Sequence, residues 1–587
     1  MKKILCVLIC MLAFAGCSDM FSSTSGEYRT VAVRATDDSD DEEREVTVLT
    51  SPIVSAPEND PFTIENMNKA LRVTLSANED LELDALGGLS LEPNYLYVRF
   101  LADGREGAAK LKAYDTSLVL FKHPLDYKRI PKPAVYRDPS LPDSVIAFFA
   151  TVPVDYEFGP TKYEVIKKLF LVEPLDEDCD EECDEETPGL ARTTARLATR
   201  KTAYSAVERL KKMGVSLRDV EMESLRMTGN LEERTKTSEI DFNARKASKW
   251  SLFGSGKKLG GQLKFMDDQL GEQPLVGVRV TGGYSYYWRT THTDKDGKFK
   301  IPEKWNFSID YEANFDAEDF LLEDGHSWYG EDLEIEKNNK YSDWKETFTG
   351  NKAKWCVVWT AAYQYWYGDN YGLKRPRQNE WWNWSLDIEV FYKNKKDFRW
   401  DYTWENVSGS IGEYGYVAGL EDIGVLTTGM QSYEIYGTTI HEISHSSHCW
   451  HMNTTDVLLP QTAEFDNLPT KYKETYARGV ENYFRAKRYN KTDRDYRRRD
   501  YDKNYTGLVE DLMDDNGSSS CVVPSKGMLK EKVSGFQLKA IEEAFFKNKT
   551  FSAMKKYLKK NYPSGKNGAK YTEAELDALF DCWGKLK

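Results

Sequence analysis

Apolar residues between about Pro61 and Thr235 come in short runs punctuated by Pro, Gly and Asp. YLYVRF (Tyr95–Phe100), SLVLF (Ser117–Phe121) and VIAFFATVPV (Val145–Val154) are rich in β-branched and aromatic residues and predict strands. A helix is expected over Tyr204–Met213, where Ala206, Leu210 and Met213 fall in one stripe. From Gly260 to about Tyr341 the period shortens to two. PLVGVRVTG sends Val276, Val278 and Val280 to one face, and Asp296-Gly297 lies between two alternating runs, a hairpin signal. This stretch reads as a small antiparallel sandwich. From Lys352 the period becomes helical. AKWCVVWTAAYQYWYG (Ala353–Gly368) spaces Trp355, Trp359, Tyr363 and Tyr367 by four, an aromatic stripe suited to core packing. LDIEVFY (Leu386–Tyr392) alternates as a strand, and GTTIHEISHSSHCWH (Gly437–His451) opens a helix with Thr438 as N-cap. A further helix is expected over Lys471–Tyr489, with Tyr472, Tyr476, Val480 and Tyr483 on its apolar side.

These textures predict a multidomain α+β chain, and its 587 residues are too many for one core. The expected divisions are an acidic tether over 18–60, a β-rich N-terminal domain over 61–235, an antiparallel β-sandwich over 236–345 and an α+β domain over 346–587. Asp and Glu (95) outnumber Lys and Arg (80), which excludes the basic footprint of a nucleic-acid partner. Residues 1–17, MKKILCVLICMLAFAGC, carry Lys2 and Lys3 ahead of an apolar stretch too short to span a bilayer, as in a secretory signal. The small residues Ala15 and Gly16 before Cys17 resemble the lipobox of bacterial lipoproteins, which implies a lipid on Cys17 that anchors the chain to a membrane. The cysteines that remain show no disulfide framework. Cys179 and Cys183 lie in DEDCDEECDEE, whose carboxylates oppose thiolate formation, so the run reads as a solvated loop, not a metal site.

HEISH carries the clearest chemistry. His441 and His445, four apart on a helix, put two imidazoles on one face where a single Zn²⁺ can bridge them, and Glu442 projects beside them as general base. Random placement of 7 His and 95 acidic residues in this length would give only about 0.01 such motifs. A catalytic zinc needs a third protein ligand. Glu474 is the expected one, because Glu474, Ala477 and Glu481 share a helical stripe and a small residue one turn away lets a carboxylate approach. Glu464 is a weaker candidate. His451 is the rival, since HEISHSSHCWH fits the frame HExxHxxGxxH in its histidines, but His448 stands where that frame turns on Gly. Donors for a developing oxyanion are His448, Arg478 or Tyr505, and Asp511, Asp514 and Asp515 are possible partners of the ligand imidazoles.

Helix, strand and histidine-bearing helix follow in the order seen in zincin peptidases, and the helix bearing Glu474 resembles the glutamate helix of gluzincins. The 260–341 stretch resembles carboxypeptidase-regulatory-like β-domains. YWYGDNYGLKRPRQNEWWN, YGTTIHEISHSSHCW, ETYARGVENYF, YTGLVEDLMDD and VSGFQLKAIEEAF, with FTIENMNKAL and TKYEVIKKLFL, resemble an uncharacterised family of Bacteroidetes lipoproteins regarded as zinc metallopeptidases. The resemblance implies a zincin-like catalytic domain at an outer membrane or cell surface and a protein, peptide or glycoprotein substrate. It leaves specificity open. The alternative is a surface lipoprotein that binds glycan or protein around a structural or inactive zinc, against which Glu442 argues, because ligation alone does not require it.

Overall fold

The computed structural model describes residues 31–32, 45–49, 59–76, 89–125 except 116, 134–136, 140–172 except 143, 210, 213, 215–231, 256–324, 331–376, 386–391, 409–410, 423–452, 465–491 except 466, 505–514, 521–523, 527–529 and 532–585. Cys17, Cys179, Cys183, Glu464, Asp515, the leader and most of the 204–213 segment lie outside them. The described residues mix helices with antiparallel and parallel strands and fall into two compact units. One lies within 1–108, 120–171 and 191–230, the other within 109–119, 172–190 and 231–587. Among the described residues no helix is long and apolar enough to cross a membrane.

In the first unit, strand β1 (Tyr95–Asp103) pairs antiparallel with β2 (Val145–Pro153) and β3 (Lys162–Leu169). The strands expected at Tyr95–Phe100 and Val145–Val154 form, and β1 buries Val98, Phe100 and Ala102 on one face and Tyr97 on the other. Helices α1 (Ile64–Ser76) and α2 (Leu217–Met227) bury Met67, Leu71, Val220 and Leu225, and Ser216 caps α2 by accepting from Asp219 N at 3.1 Å. SLVLF does not form the expected strand. Among the described residues only Phe121 of this segment bridges, to Phe149, and an Asp115 turn precedes it, with Ser117 N donating to Asp115 Oδ1 at 2.9 Å.

The second unit opens with β4 (Gly260–Asp267), β5 (Gly271–Pro274), β6 (Arg279–Tyr284), β7 (Tyr287–His292), β8 (Lys298–Lys300) and β9 (Ile309–Asn314). It continues with β10 (Phe320–Asp324), β11 (Glu331–Asp332), β12 (Glu334–Lys340) and β13 (Trp344–Phe348). One sheet runs β7-β6-β9-β12 and the other β8-β4-β13, with β5 beside β4. Two details depart from the expected antiparallel sandwich. The Asp296-Gly297 turn forms, with Asp294 Oδ1 accepting from Lys298 N at 2.8 Å, but it hands the chain from β7 in one sheet to β8 in the other. Strand β13 pairs parallel with β4.

A third sheet, β11-β10-β14-β16-β15, adds β14 (Leu386–Phe391), β15 (Gly409–Ser410) and β16 (Ile423–Leu426). Its β10–β14 pairing is parallel, so segments 236–345 and 346–587 share a sheet. Helix α3 (Gly350–Tyr367) packs on it with Trp359 4.9 Å from Phe320, ring to ring. The aromatic stripe enters the core only in part: Trp359 is fully buried and Tyr367 exposed, while Val358, Ala362 and Trp366 are buried beside it, because the helix lies between a sheet and another helix. Next come α4 (Ser432–His451), α5 (Thr470–Tyr489), α6 (Leu508–Met513), α7 (Leu538–Phe546), α8 (Phe551–Asn561) and α9 (Glu573–Lys585). A disulfide joins Cys521 to Cys582 on α9, a pairing that a sequence separation of 61 hid from the sequence. Cys356 and Cys449 are buried and take no part in that bridge.

Candidate metal centre

Helix α4 begins at Ser432, five residues before Gly437, because Gln431 and Glu434 form a capping box and Thr438 is interior. Gln431 N donates to Glu434 Oε2 at 2.8 Å, and Ser432 N donates to Asp268 at 3.1 Å. The helix is polar for its depth, yet Thr439 and Ser444 satisfy their hydroxyls on carbonyls one turn back, at 2.8 and 2.7 Å. It runs unbroken through His448 to His451. Helix α5 lies against it and shows it Glu474, Arg478, Glu481 and Arg485, a polar stripe at spacings of four, three and four.

His441, His445 and Glu474 converge and could hold a metal ion, their donor atoms all lying within 4.8 Å of one another. The two Nε2 atoms are 3.1 Å apart, and Glu474 Oε2 and Oε1 lie 3.1 Å from His441 Nε2 and 3.4 Å from His445 Nε2. Donors about 2.0–2.1 Å from a tetrahedral ion sit roughly 3.3–3.4 Å from each other, so the set fits zinc with little movement. The tautomer fits too. His441 Nδ1 faces Glu481 Oε2 at 3.0 Å, and donation there leaves the Nε2 lone pair for a cation. Glu481 is in turn held by Arg485 Nη1 on Oε1 at 2.7 Å and by Arg478 Nη1 on Oε2 at 3.0 Å.

Protonation follows this charge pattern. Burial disfavours a charged His441, but hydrogen bonds to Glu474 and Glu481 outweigh it and push its pKa up to about 10. Burial likewise opposes ionisation of Glu474, but the His445 charge and hydrogen bonds from both imidazoles hold its carboxyl far below the usual range. Glu481 is also depressed, its burial overcome by Arg478 and Arg485. Glu442 behaves differently. It is 2% exposed, its Oε2 is buried without a hydrogen-bond partner among the described residues, and burial raises its pKa against the pull of both histidines.

Two glycines permit this packing. A Cβ at Gly437 would lie 2.3 Å from Arg485 Cδ and 3.0 Å from Glu481 Oε1, so the bare position admits the Glu481 clamp beside α4. At Gly479 it would lie 2.3 Å from Val509 Cβ, so α6 can close on α5, where Thr475 and Thr506 hydroxyls meet at 2.9 Å. That approach brings Tyr505, just ahead of α6, to the centre, 6.5 Å from His441 ring to ring.

The remaining candidates separate clearly. His451 stays out of the group: its Nε2 is 2.7 Å from Arg375 O, and the straight helix never bends at His448 to bring it round. His448 is no oxyanion donor, being fully buried and stacked on Phe546 at 4.8 Å between ring centres. Burial pushes its pKa well down. Tyr505 flanks the centre, its pKa raised by burial and then by the Glu474 charge, so its hydroxyl keeps its proton. Arg478 is engaged by Glu481 and lies over the Tyr505 ring. Asp511 accepts from Trp583 Nε1 at 2.8 Å, and Asp514 caps α6. The imidazole partner is Glu481, whose place on the Glu474 stripe was visible in the sequence although its role was not. No protein family, no curated protein and no solved structure matches the chain.

Proposed function

We propose that the chain is a zinc-dependent endopeptidase that hydrolyses peptide bonds of proteins or glycoproteins at a bacterial cell surface, anchored by lipid on Cys17 and without a nucleic-acid partner. The carrying observation is the buried Glu442 carboxylate, its Oε2 without a hydrogen-bond partner among the described residues, beside three convergent metal donors, since holding an ion does not need it. Two imidazoles and a carboxylate suit zinc. A bound zinc would supply Lewis acidity toward a peptide carbonyl and an attacking water.

The side chains divide the remaining work. Glu442 Oε2 takes the proton of the attacking water and returns it to the amine nitrogen as the C–N bond breaks. A carboxyl raised by burial suits both transfers near neutral pH. The Tyr505 hydroxyl donates to the carbonyl oxygen as it gains charge. Glu481 keeps His441 in one tautomer and one orientation. The Cys521–Cys582 disulfide supports an oxidising, extracytoplasmic setting.

Low exposure of His441 (7%) and His445 (6%) favours a second reading, a surface-binding lipoprotein with a structural zinc, because structural sites are closed. Zinc-loaded protein and Glu442→Gln, compared on a mixed peptide library, separate the two. The proposal expects both to bind zinc and the variant to lose about 100-fold or more of hydrolysis. Near-normal hydrolysis by the variant removes the role of Glu442, and no cleavage by the parent favours the binding protein.

A further inference from the structure

Arg478 stands one helical turn past Glu474 on α5, its side chain 13% exposed. Its Nη1 lies 3.0 Å from Glu481 Oε2, the same oxygen that faces His441 Nδ1 at 3.0 Å. Its guanidinium carbon lies 4.9 Å from the centre of the Tyr505 ring. A guanidinium can serve both neighbours at once, because its edge donates to a carboxylate while its face supports an aromatic ring. A lysine ammonium has no such face.

We infer that Arg478 is a positioning residue that links the two halves of the centre: it holds the Glu481 carboxylate behind His441 and seats Tyr505 beside it. Glu481 keeps its bond to Arg485, at 2.7 Å, when Arg478 is lost, and the Tyr505 ring loses the guanidinium face it lies against. Loss of Arg478 therefore loosens the metal modestly and misplaces Tyr505 more severely. The Tyr505 part rests on the peptidase reading; the clamp on Glu481 does not.

Arg478→Lys, Glu481→Gln and Tyr505→Phe, singly and as Arg478→Lys with Tyr505→Phe, test the link through zinc titration against a competing chelator and through kcat and KM. Glu481→Gln should weaken zinc about 10-fold or more, as loss of an outer partner of a ligand does, and Arg478→Lys only about 3-fold. Arg478→Lys should lower kcat about 10-fold with KM little changed, and add less than about 2-fold once Tyr505 is Phe. A full 10-fold loss in the Tyr505→Phe background overturns the inference, as does an unchanged zinc affinity in Arg478→Lys. Should the parent cleave no peptide, the peptidase reading fails and a crystal structure of Arg478→Lys decides instead. A displaced Tyr505 ring upholds the seat; a ring in its original place overturns it.

Discussion

Gly437→Ala sets two opposed effects against each other in a buried place. Alanine in a helix interior is favoured over glycine by about 1 kcal/mol, so propensity alone predicts a more stable protein. The new Cβ would meet Arg485 Cδ at 2.3 Å and Glu481 Oε1 at 3.0 Å, both on side chains about 95% buried. Relief requires a shift of roughly 1 Å, enough to break the Arg485–Glu481 pair at 2.7 Å and leave a buried charged group short of a partner, at about 1–3 kcal/mol. The packing penalty should win, giving a net loss of up to roughly 2 kcal/mol. Because Glu481 also orients His441, zinc affinity should fall about 10-fold. Urea unfolding and chelator-competed zinc titration of the same preparations give both numbers. A variant more stable than the parent by about 1 kcal/mol, with unaltered zinc affinity, would show that the clamp does not depend on the bare position.

Glu474→Ala should weaken zinc binding at least 10-fold or so while His451→Ala leaves it in place, and isothermal titration showing the reverse would make His451 the third ligand. Opening the Cys521–Cys582 bridge, by a reductant or by Cys521→Ser, should cost about 2–4 kcal/mol in denaturant unfolding, and no change would mean the bridge constrains nothing. Glu542, 1% exposed, is pushed up to about 7 by burial, against hydrogen bonds from Lys374 N and Tyr476. Its contribution to stability is thus full below its ordinary value near 4.5 and is lost as pH rises through 7, by up to roughly 3 kcal/mol. Glu542→Gln should therefore gain on the parent in melting temperature between pH 5 and pH 8, and a constant difference across that range would refute the assignment.

What the sequence disclosed was local. His441 and His445 are four apart on one helix, so their convergence follows from the helical repeat alone. Glu474 was legible because its own helix has a clear apolar side that fixes where the polar stripe must lie. Glu481 was on the same stripe, but its partnership with His441 depends on how closely α5 approaches α4, which Gly437 and Arg485 set together. The start of α4 was misplaced because Gln431 and Glu434 cap it reciprocally, whereas Ser, Thr, Asp and Asn are the usual signals. Non-local pairings escaped altogether. The parallel β4–β13 pair and the Cys521–Cys582 bridge join residues that no short-range pattern connects.

The most direct test is anomalous diffraction at the zinc edge from crystals of the zinc-loaded protein. One peak is predicted, about 2.0–2.2 Å from His441 Nε2, His445 Nε2 and a Glu474 oxygen, with Glu442 unligated. A peak coordinated by His451 in place of Glu474, or by Glu442 itself, would contradict the account, as would protein that takes up no zinc at all.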